Sequence, residues 1–274
     1  MKNIPLNPIE KSFYYQTKLD VNDDSGNIIH KVVLDSTISF NNIKRALCII
    51  MSSHVSLRYK LTEEDGVPYF YDSGVTEAEE SASLESLKRP FDLQQDVLLR
   101  YIADKNIIYI ASHHIIFDAI SWNMFIEQFL LLIDNQHTPK ITQHQSVRKH
   151  VSANDNTAYW VDKLSSIDRL VNIQRSSDST KERSAKVVDN MLQRAVADKL
   201  RLYARSNKIS LNTIFMYAVS ILLYRLTEQN EMVISTPIST REIDDESIHC
   251  DINVLPCPIT IDSSARVSEG LLDF

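Results

Sequence analysis

The chain has 274 residues, of which 43% are hydrophobic, and its formal net charge is −7 at pH 7. This length and this apolar content are enough for a large core in one or two domains. The sequence pI of about 5.6 argues against the strongly basic surface that nucleic-acid-binding proteins use. With only four glycines the chain has no phosphate-cradling glycine-rich loop, which excludes the nucleotide-binding classes that depend on one.

The cysteines and the apolar runs bear on compartment and on metal binding. Three cysteines without a Cys-x-x-Cys pair predict reduced thiols in a cytoplasmic protein. No apolar run reaches transmembrane length, and the N-terminus lacks a signal-peptide core, so no membrane contact is expected. His249, Cys250 and Cys257 offer two thiols and one imidazole without a fourth ligand, so no metal site is predicted.

Helices and strands alternate along the first part of the chain. A helix is predicted from Pro8 to Tyr15, because Asn7 can cap it and Glu10 stands three residues after the cap. Glu63-Glu64-Asp65-Gly66 predicts a hairpin turn. Apolar periodicity predicts a helix at 41–53 and strands at 28–34, 58–62, 67–71, 97–103 and 106–111.

A polar stretch separates these elements from a second set. Residues 175–184 have few apolar side chains, which is typical of a linker. We therefore predict an N-terminal lobe at 1–174, an interlobe linker at 175–184 and the first part of a C-terminal lobe at 185–274. The elements predicted in that lobe are strands at 185–192, 232–236 and 253–261 and helices at 195–206 and 212–226, the second of them capped by Ser210.

Two adjacent histidines, His113 and His114, stand where the strand at 106–111 ends and an apolar helix begins, with Ser121 as its candidate N-cap. Imidazole is the side chain whose ordinary pKa is nearest neutrality. At a strand end it can reach a cleft while its backbone stays rigid. Adjacent residues at a strand end point to opposite faces, which argues against joint metal binding. A bare histidine pair also fits a purely structural role.

Several motifs together resemble the condensation domains of nonribosomal peptide synthetases, which belong to the chloramphenicol-acetyltransferase-like acyltransferases. His113, His114 and Asp118 match the family pattern His-His-x-x-x-Asp-Gly, with Ala119 in place of glycine. Further segments similar to family motifs lie at 53–58, 89–93, 237–241 and 253–256. The family's fourth motif, expected near 144–150, is not recognisable.

The resemblance implies an α/β fold of the α+β sandwich type, with two lobes in a V around a cleft. The family's later segments have no counterpart here, so we expect a truncated gene product, a fragment or one part of a longer chain, with an incomplete second lobe. The resemblance also implies an acyltransferase that forms an amide bond between a carrier-bound donor thioester and an acceptor amine. The implied partners are donor and acceptor peptidyl carrier proteins and an adjacent adenylation domain, with no nucleic acid and no membrane. No directly bound cofactor is expected, because phosphopantetheine arms carry the substrates.

The resemblance also assigns roles to single residues. His114 is the expected catalytic residue, as a base or as a group that positions the amine. His113 and Asp118 are expected to support its loop. A buried arginine requires a carboxylate, and the resemblance suggests Asp118 as the partner of Arg58. Two further residues match later motifs and are candidates for the second-lobe side of the cleft: Arg241 and Asn253.

Three alternatives stay open. An epimerization domain shares the fold and the histidine motif, and both Ser121-Trp122 and Glu10 favour it, whereas the segments at 89–93 and 253–256 favour condensation. A non-catalytic relative that docks carrier proteins is favoured by Ala119, by the missing fourth motif and by the early stop, whereas the intact His113, His114 and Asp118 argue against it. A free-standing acyltransferase that uses coenzyme A is the third alternative.

Overall fold

A computed structural model describes residues 3–35, 38–134, 156–165, 167, 170–173, 189–242 and 245–274. Its contacts divide the chain into two compact units. Unit 1 comprises Met1–Lys149 and Pro237–Val254, and unit 2 comprises His150–Thr236 and Leu255–Phe274. The predicted linker at 175–184 and the expected place of the fourth motif lie outside the described residues, so the predicted lobe boundary stays a prediction.

Unit 1 follows the predicted order of helices and strands closely. Helix α1 begins with the predicted capping box, in which the Asn7 side chain accepts from the Glu10 N–H and the Glu10 carboxylate accepts from the Asn7 N–H. The hairpin turn falls at Asp65 and Gly66, with φ of 51° and 78°. The elements are β1 (Ile4–Pro5), α1 (Pro8–Leu19), β2 (Asn27–Val33), α2 (Phe40–Ser53), β3 (Tyr59–Glu64), β4 (Val67–Asp72), β5 (Glu79–Glu80), α3 (Leu84–Lys88), β6 (Leu99–Asp104), β7 (Ile107–His113) and α4 (Ala119–Ile133).

Two sheets organise unit 1. One has the strand order β1-β4-β3, and the other has the order β2-β7-β6-β5. In the second sheet β7 is antiparallel to both β2 and β6, while β5 runs parallel to β6. Helices α2 and α4 pack against each other, and both contribute to one large apolar core. The end of β7 is thereby fixed between a paired strand and the start of α4.

The segment at 89–93 that resembles a family motif is part of a structural ion-pair cluster. Arg100 is fully buried, and its guanidinium lies 3.7 Å from the centre of the Phe91 ring. It pairs with Glu79 at 3.2 Å and with Asp96 at 2.5 Å. Arg89 pairs with the same two carboxylates, at 2.9 and 2.8 Å. The cluster therefore ties strand β5 and the loop before β6 to the sheet.

Unit 2 has a smaller core. Ser210 caps its longest helix as predicted, accepting from the Thr213 N–H. Residues 189–192, the described part of a predicted strand, form no strand, so that prediction is wrong there. The helices of unit 2 are α5 (Thr157–Leu164), α6 (Arg194–Asn207), α7 (Leu211–Thr227) and α8 (Val267–Asp273). Strands β8 (Glu231–Ser239) and β9 (Ile252–Thr260) pair with each other, and the division between the units falls within both of them.

The membrane-spanning potential of the described helices follows from their length and hydropathy. No single one of them is long and apolar enough to cross a bilayer. Helices α6 and α7 pass that test only when taken together, and they are bent by 108° at the break between them.

Candidate functional site

The two histidines occupy the junction between β7 and α4. His113 is the last residue of β7 and lies opposite Asn27 of β2. The next backbone N–H, that of His114, donates to the Gly26 carbonyl at 2.8 Å. His114 opens a single 3₁₀ turn that ends at Ile116. The pairing with β2 therefore continues one residue past the strand and fixes the backbone that carries both imidazoles.

His114 has one defined tautomer. Its Nδ1 lies 3.2 Å from the Phe117 carbonyl oxygen, which can only accept, so Nδ1 carries the hydrogen. The Nε2 atom then holds a lone pair, and no described residue hydrogen-bonds to it. Burial lowers the pKa of His114, and the Phe117 carbonyl offsets part of this effect. The ring stacks on Phe13 at 5.5 Å, with 3° between the planes. A neutral, oriented imidazole with a free basic nitrogen is the result.

His113 is held differently and is buried. Its Nδ1 accepts from the Ile115 N–H at 3.0 Å, which leaves the hydrogen on Nε2. The rings of Phe13 and Phe91 both meet it edge-on at 6.1 Å. Burial, and then the neighbouring His114, lower the pKa of His113 to about 3. These contacts give His113 the geometry of a residue that supports the loop.

Gly26 leaves room for the His113 ring. A β-carbon at position 26 would lie 2.3 Å from the Nε2 atom of His113, and the buried ring has no space to move. We expect Gly26→Ala to lower the free energy of unfolding by about 1–3 kcal/mol, the usual cost of overpacking. Urea titration measures this. A second change, His113→Ala, removes the clash, so the double variant should lose less than the sum of the single losses; strict additivity would contradict this account.

The buried His113 also predicts a pH dependence of stability. Its pKa is about 3 in the folded chain, whereas an unfolded histidine titrates near its ordinary value of 6.5. The unfolded state therefore binds more protons than the folded state between these two pH values. The contribution of His113 to the free energy of unfolding is fully present above pH 6.5 and is lost as the pH falls towards 3. The slope contributed by this group is about 1.4 kcal/mol per pH unit. His113→Asn keeps an acceptor near Nδ1 and should flatten the slope between pH 4 and 6; an unchanged slope would contradict the assignment.

Asp118, and not Ser121, caps helix α4. Its Oδ1 accepts from the Ser121 N–H at 2.7 Å, and its Oδ2 accepts from the Asp251 N–H at 3.0 Å. The prediction of a Ser121 cap was wrong because the helix begins at Ala119, so Ser121 already lies inside its first turn. Burial opposes the ionised form, but these two backbone bonds and Arg241 hold the pKa of Asp118 below its usual range.

The arginine that pairs with Asp118 is Arg241, so the predicted pairing with Arg58 is wrong. Arg241 lies 3.2 Å from Asp118, and the two side chains are 5% and 1% exposed. Arg58 pairs instead with Asp72 at 2.8 Å. The physical reason is the β3–β4 hairpin, which places Asp72 directly opposite Tyr59, the residue after Arg58.

Arg241 and Asn253 were both predicted on the second-lobe side of a cleft. The contacts place both in unit 1. Only Arg241 reaches Asp118. Asn253 lies in β9, is exposed, and accepts a hydrogen bond from the neighbouring Val254 N–H at 2.9 Å. The structure therefore brings His113, His114, Asp118 and Arg241 to one region of unit 1, without Arg58 or Asn253.

The side chains of Ser121, Ser56 and His54 bind the backbone at residues 248 and 249, and the sequence did not predict these contacts. The Ser121 hydroxyl donates to the His249 carbonyl at 2.6 Å and accepts from the His249 N–H at 3.0 Å. The Ser56 hydroxyl donates to the Ile248 carbonyl, and the His54 Nδ1 accepts from the Ile248 N–H at 3.4 Å. The only signal available in the sequence was that His54 and Ser56 fall inside the segment 53–58, which resembles a family motif.

One cluster of carboxylates and an imidazole is found among the described residues. Asp245 and Asp251 place oxygens 3.5 and 3.6 Å from the Nε2 atom of His249. These three atoms lie within 4.8 Å of one another, close enough to hold a cation. Arg241 lies 3.8 Å from Asp245 and already compensates part of the negative charge. The cluster thus has the contacts of an ion-pair network beside Asp118.

The site as a whole offers a proton acceptor and a rigid frame. His114 supplies a neutral nitrogen with a lone pair. Asp118 and Arg241 anchor the start of α4, four residues further along the chain. Such an arrangement can accept a proton from an amine or from a carbon acid. It can also position a nucleophile for attack on an activated carbonyl.

Comparisons with known proteins identify the family and the fold. The family model described as "Condensation domain" matches residues 1–273. Surfactin synthase subunit 2 of Bacillus subtilis (strain 168) is 27% identical over 184 residues, which are 59% of this chain and 5% of that protein. Tyrocidine synthase 3 of Brevibacillus parabrevis is 22% identical over 277 residues, which are 92% of this chain and 4% of that protein. The chain thus spans a small part of these relatives.

Solved structures of condensation domains show the same fold. The first condensation domain of the CDA synthetase superposes with a TM-score of 0.75 at 16% identity, covering 98% of this chain and 73% of that chain. The condensation domain from the monacolin K polyketide synthase MokA gives a TM-score of 0.76 at 16% identity, covering 100% and 71%. The predicted α/β fold of the chloramphenicol-acetyltransferase type is confirmed, and the chain belongs to the condensation-domain family.

Proposed function

We propose that this chain forms an amide bond between a carrier-bound acyl or aminoacyl thioester and the amine of an acceptor. The observation that carries the proposal is the state of His114. Its ring is neutral and oriented, and its Nε2 atom has a free lone pair at the end of a fixed strand. A group of this kind can accept the proton that an attacking amine must lose.

The proposed reaction needs few groups from the protein. The acceptor nitrogen attacks the thioester carbonyl carbon, and a C–N bond forms. The amine proton passes to the Nε2 atom of His114, and the C–S bond breaks. The leaving thiolate then takes that proton from His114 and departs as a free thiol, which returns His114 to its neutral form. Because a thioester is already an activated acyl group, holding the two reactants in contact supplies much of the rate. Asp118 does not reach the reacting atoms in this scheme, since Ser121, Asp251 and Arg241 occupy its oxygens.

The proposed partners follow from this chemistry. Donor and acceptor peptidyl carrier proteins bring their thioesters on phosphopantetheine arms, and an adenylation domain loads the acceptor. The arms belong to the carriers, so the chain itself needs no bound cofactor.

The substitution of Ala119 for glycine agrees with a catalytic role. Ala119 is the first residue of α4, a helical position that needs no positive φ. A methyl group there is exposed and disturbs neither histidine. The change is therefore weak support for a non-catalytic docking relative.

Epimerization is the second candidate function, because Trp122 directly follows Ser121 as in epimerization domains. Glu10 no longer adds support, since its carboxylate is used in the capping box of α1. In this reaction His114 would take the α-proton of the carrier-bound residue.

One assay tests these functions together. Donor and acceptor carriers are loaded with labelled aminoacyl groups, and intact-protein mass spectrometry follows both carriers in D₂O. We expect a dipeptidyl mass on the acceptor carrier. Uptake of deuterium at the α-carbon without a dipeptide would instead identify an epimerase. Neither change, with the carriers still retained by the chain on a sizing column, would identify a docking module and overturn the proposal.

A further inference from the structure

His30 lies in β2, the strand that pairs with β7 just before His114. In β2 the side chains of Ile28, His30 and Val32 share one face because successive residues alternate. The antiparallel pairing sets Ile28 opposite Ser112 and His30 opposite Ile110, and directly opposed residues project on the same side. In β7 that face carries Ile110 and Ser112, and the chain then leaves the strand at His113 and enters the 3₁₀ turn that begins with His114. The electrostatic interaction between the two imidazoles is consistent with this placement.

The imidazole of His30 stacks on the first ring of an aromatic row along α4. Its centre lies 3.6 Å from that of the Trp122 ring, with 8° between the planes. Trp122 in turn stacks on Phe125 at 5.6 Å, and Phe125 stacks on Phe129 at 5.9 Å. The two phenylalanines are buried in the core. The stacked row, which is anchored in the core by the two phenylalanines, therefore fixes the orientation of the His30 ring.

The ring nitrogens of His30 are available to a ligand. In the part of the chain that the structure describes, neither nitrogen has a hydrogen-bond partner. The residue is half-buried, so the ring is neither sealed in the core nor fully hydrated. A half-buried polar group without a protein partner gains from a hydrogen bond to a bound molecule. No contact with His113, Asp118 or Arg241 accounts for this histidine.

We infer that His30 and Trp122 form a subsite that binds the acyl substrate beside His114, with the indole as an apolar wall and the imidazole as a hydrogen-bonding group. The inference rests on the proposed function, and it specifies the substrate class: an acyl thioester that carries a neutral polar group such as an amide near the thioester. His30 contacts the substrate but exchanges no proton with the reacting atoms, so it is a specificity-determining residue.

The charge state of His30 favours a neutral ligand group. Burial, and then His114, lower the pKa of His30, so its ring is uncharged at neutral pH. An uncharged imidazole can donate through one nitrogen and accept through the other. An amide, which also donates and accepts, is the matching group.

A binding experiment on the full chain tests the inference without any turnover. The chain has two tryptophans, so Trp160→Phe leaves Trp122 as the only indole fluorophore. The probes are the N-acetylcysteamine thioesters of N-acetylleucine and of 4-methylpentanoic acid, which have the same carbon chain and differ only in the acetamido group. Quenching of Trp122 fluorescence gives a Kd for each probe.

We expect the amide-bearing probe to bind about 5- to 10-fold more tightly, as one additional hydrogen bond allows. His30→Phe keeps the stacked ring and should bring the ratio of the two Kd values to about 1, with the Kd of the apolar probe unchanged. His30→Gln keeps a donor and an acceptor and should restore part of the ratio. Ile29→Ala, on the opposite face of β2, is the matched control and should leave both Kd values unchanged.

The inference is overturned if the ratio is the same in His30→Phe and wild type, or if neither probe quenches Trp122 in a saturable way. Near-ultraviolet circular dichroism confirms that each variant keeps its aromatic packing. The carrier assay separates the two proposals. If binding discriminates between the probes through His30 but no amide forms, the subsite is supported and the proposed reaction is wrong. If an amide forms but His30 does not affect discrimination, the proposed reaction is supported and the subsite is wrong.

Discussion

Replacement of His114 by alanine is expected to reduce the rate of amide formation by about 10²- to 10⁴-fold, the range that general-base groups contribute. The free Nε2 atom is the only unengaged basic nitrogen that the described structure fixes at the end of β7. Its loss leaves the attacking amine without a positioned acceptor. The measurement is the initial rate of dipeptidyl-carrier formation by mass spectrometry.

The fold should survive this change. His114 is half-buried, and among the described residues its side chain hydrogen-bonds only to the Phe117 carbonyl. We therefore expect a small change in the free energy of unfolding. Imidazole added to the His114→Ala variant should restore part of the rate of amide formation. His114→Ala that retains more than half of the wild-type rate, with intact folding, would mean that proximity alone supplies the catalysis.

Replacement of Arg241 by methionine is expected to lower the free energy of unfolding by about 3–5 kcal/mol, the usual cost of leaving one buried charge without its partner. Asp118 is 1% exposed, so water cannot take over from the guanidinium. The same arginine donates to the Ser121 hydroxyl at 3.1 Å and to the His249 carbonyl at 2.9 Å. Urea unfolding monitored by circular dichroism measures the loss.

A double-mutant cycle and a matched control make this prediction specific. Asp118→Asn combined with Arg241→Met should cost clearly less than the two single losses added together, because the neutral asparagine needs no counter-charge. Arg58→Met breaks a pair whose carboxylate, Asp72, is 39% exposed, and should cost about 1 kcal/mol. The assignment of the buried pair would be wrong if the double-mutant cycle gave an interaction energy between Arg58 and Asp118 but none between Arg241 and Asp118.

The sequence alone determined most local structure, because helices and strands are encoded by patterns of neighbouring residues. The period of the apolar residues located α2, α6 and α7 to within one residue at each end. The caps at Asn7 and Ser210 and the turn at Asp65-Gly66 followed from side-chain chemistry over three or four residues. The motif around His113 and His114 was enough to indicate the family.

The pairing of distant groups was decided only by the tertiary structure. Arg241 and Asp118 are 123 residues apart, and nothing in either local sequence distinguishes this pair from the predicted one with Arg58. The hairpin gives Arg58 a nearer carboxylate, while the segment Pro237–Val254 returns to unit 1 and brings Arg241 to Asp118. The tautomer of His114 likewise depends on where the Phe117 carbonyl points. Local patterns fix the elements, but charges and hydrogen bonds are assigned by which strand and helix ends the fold brings together.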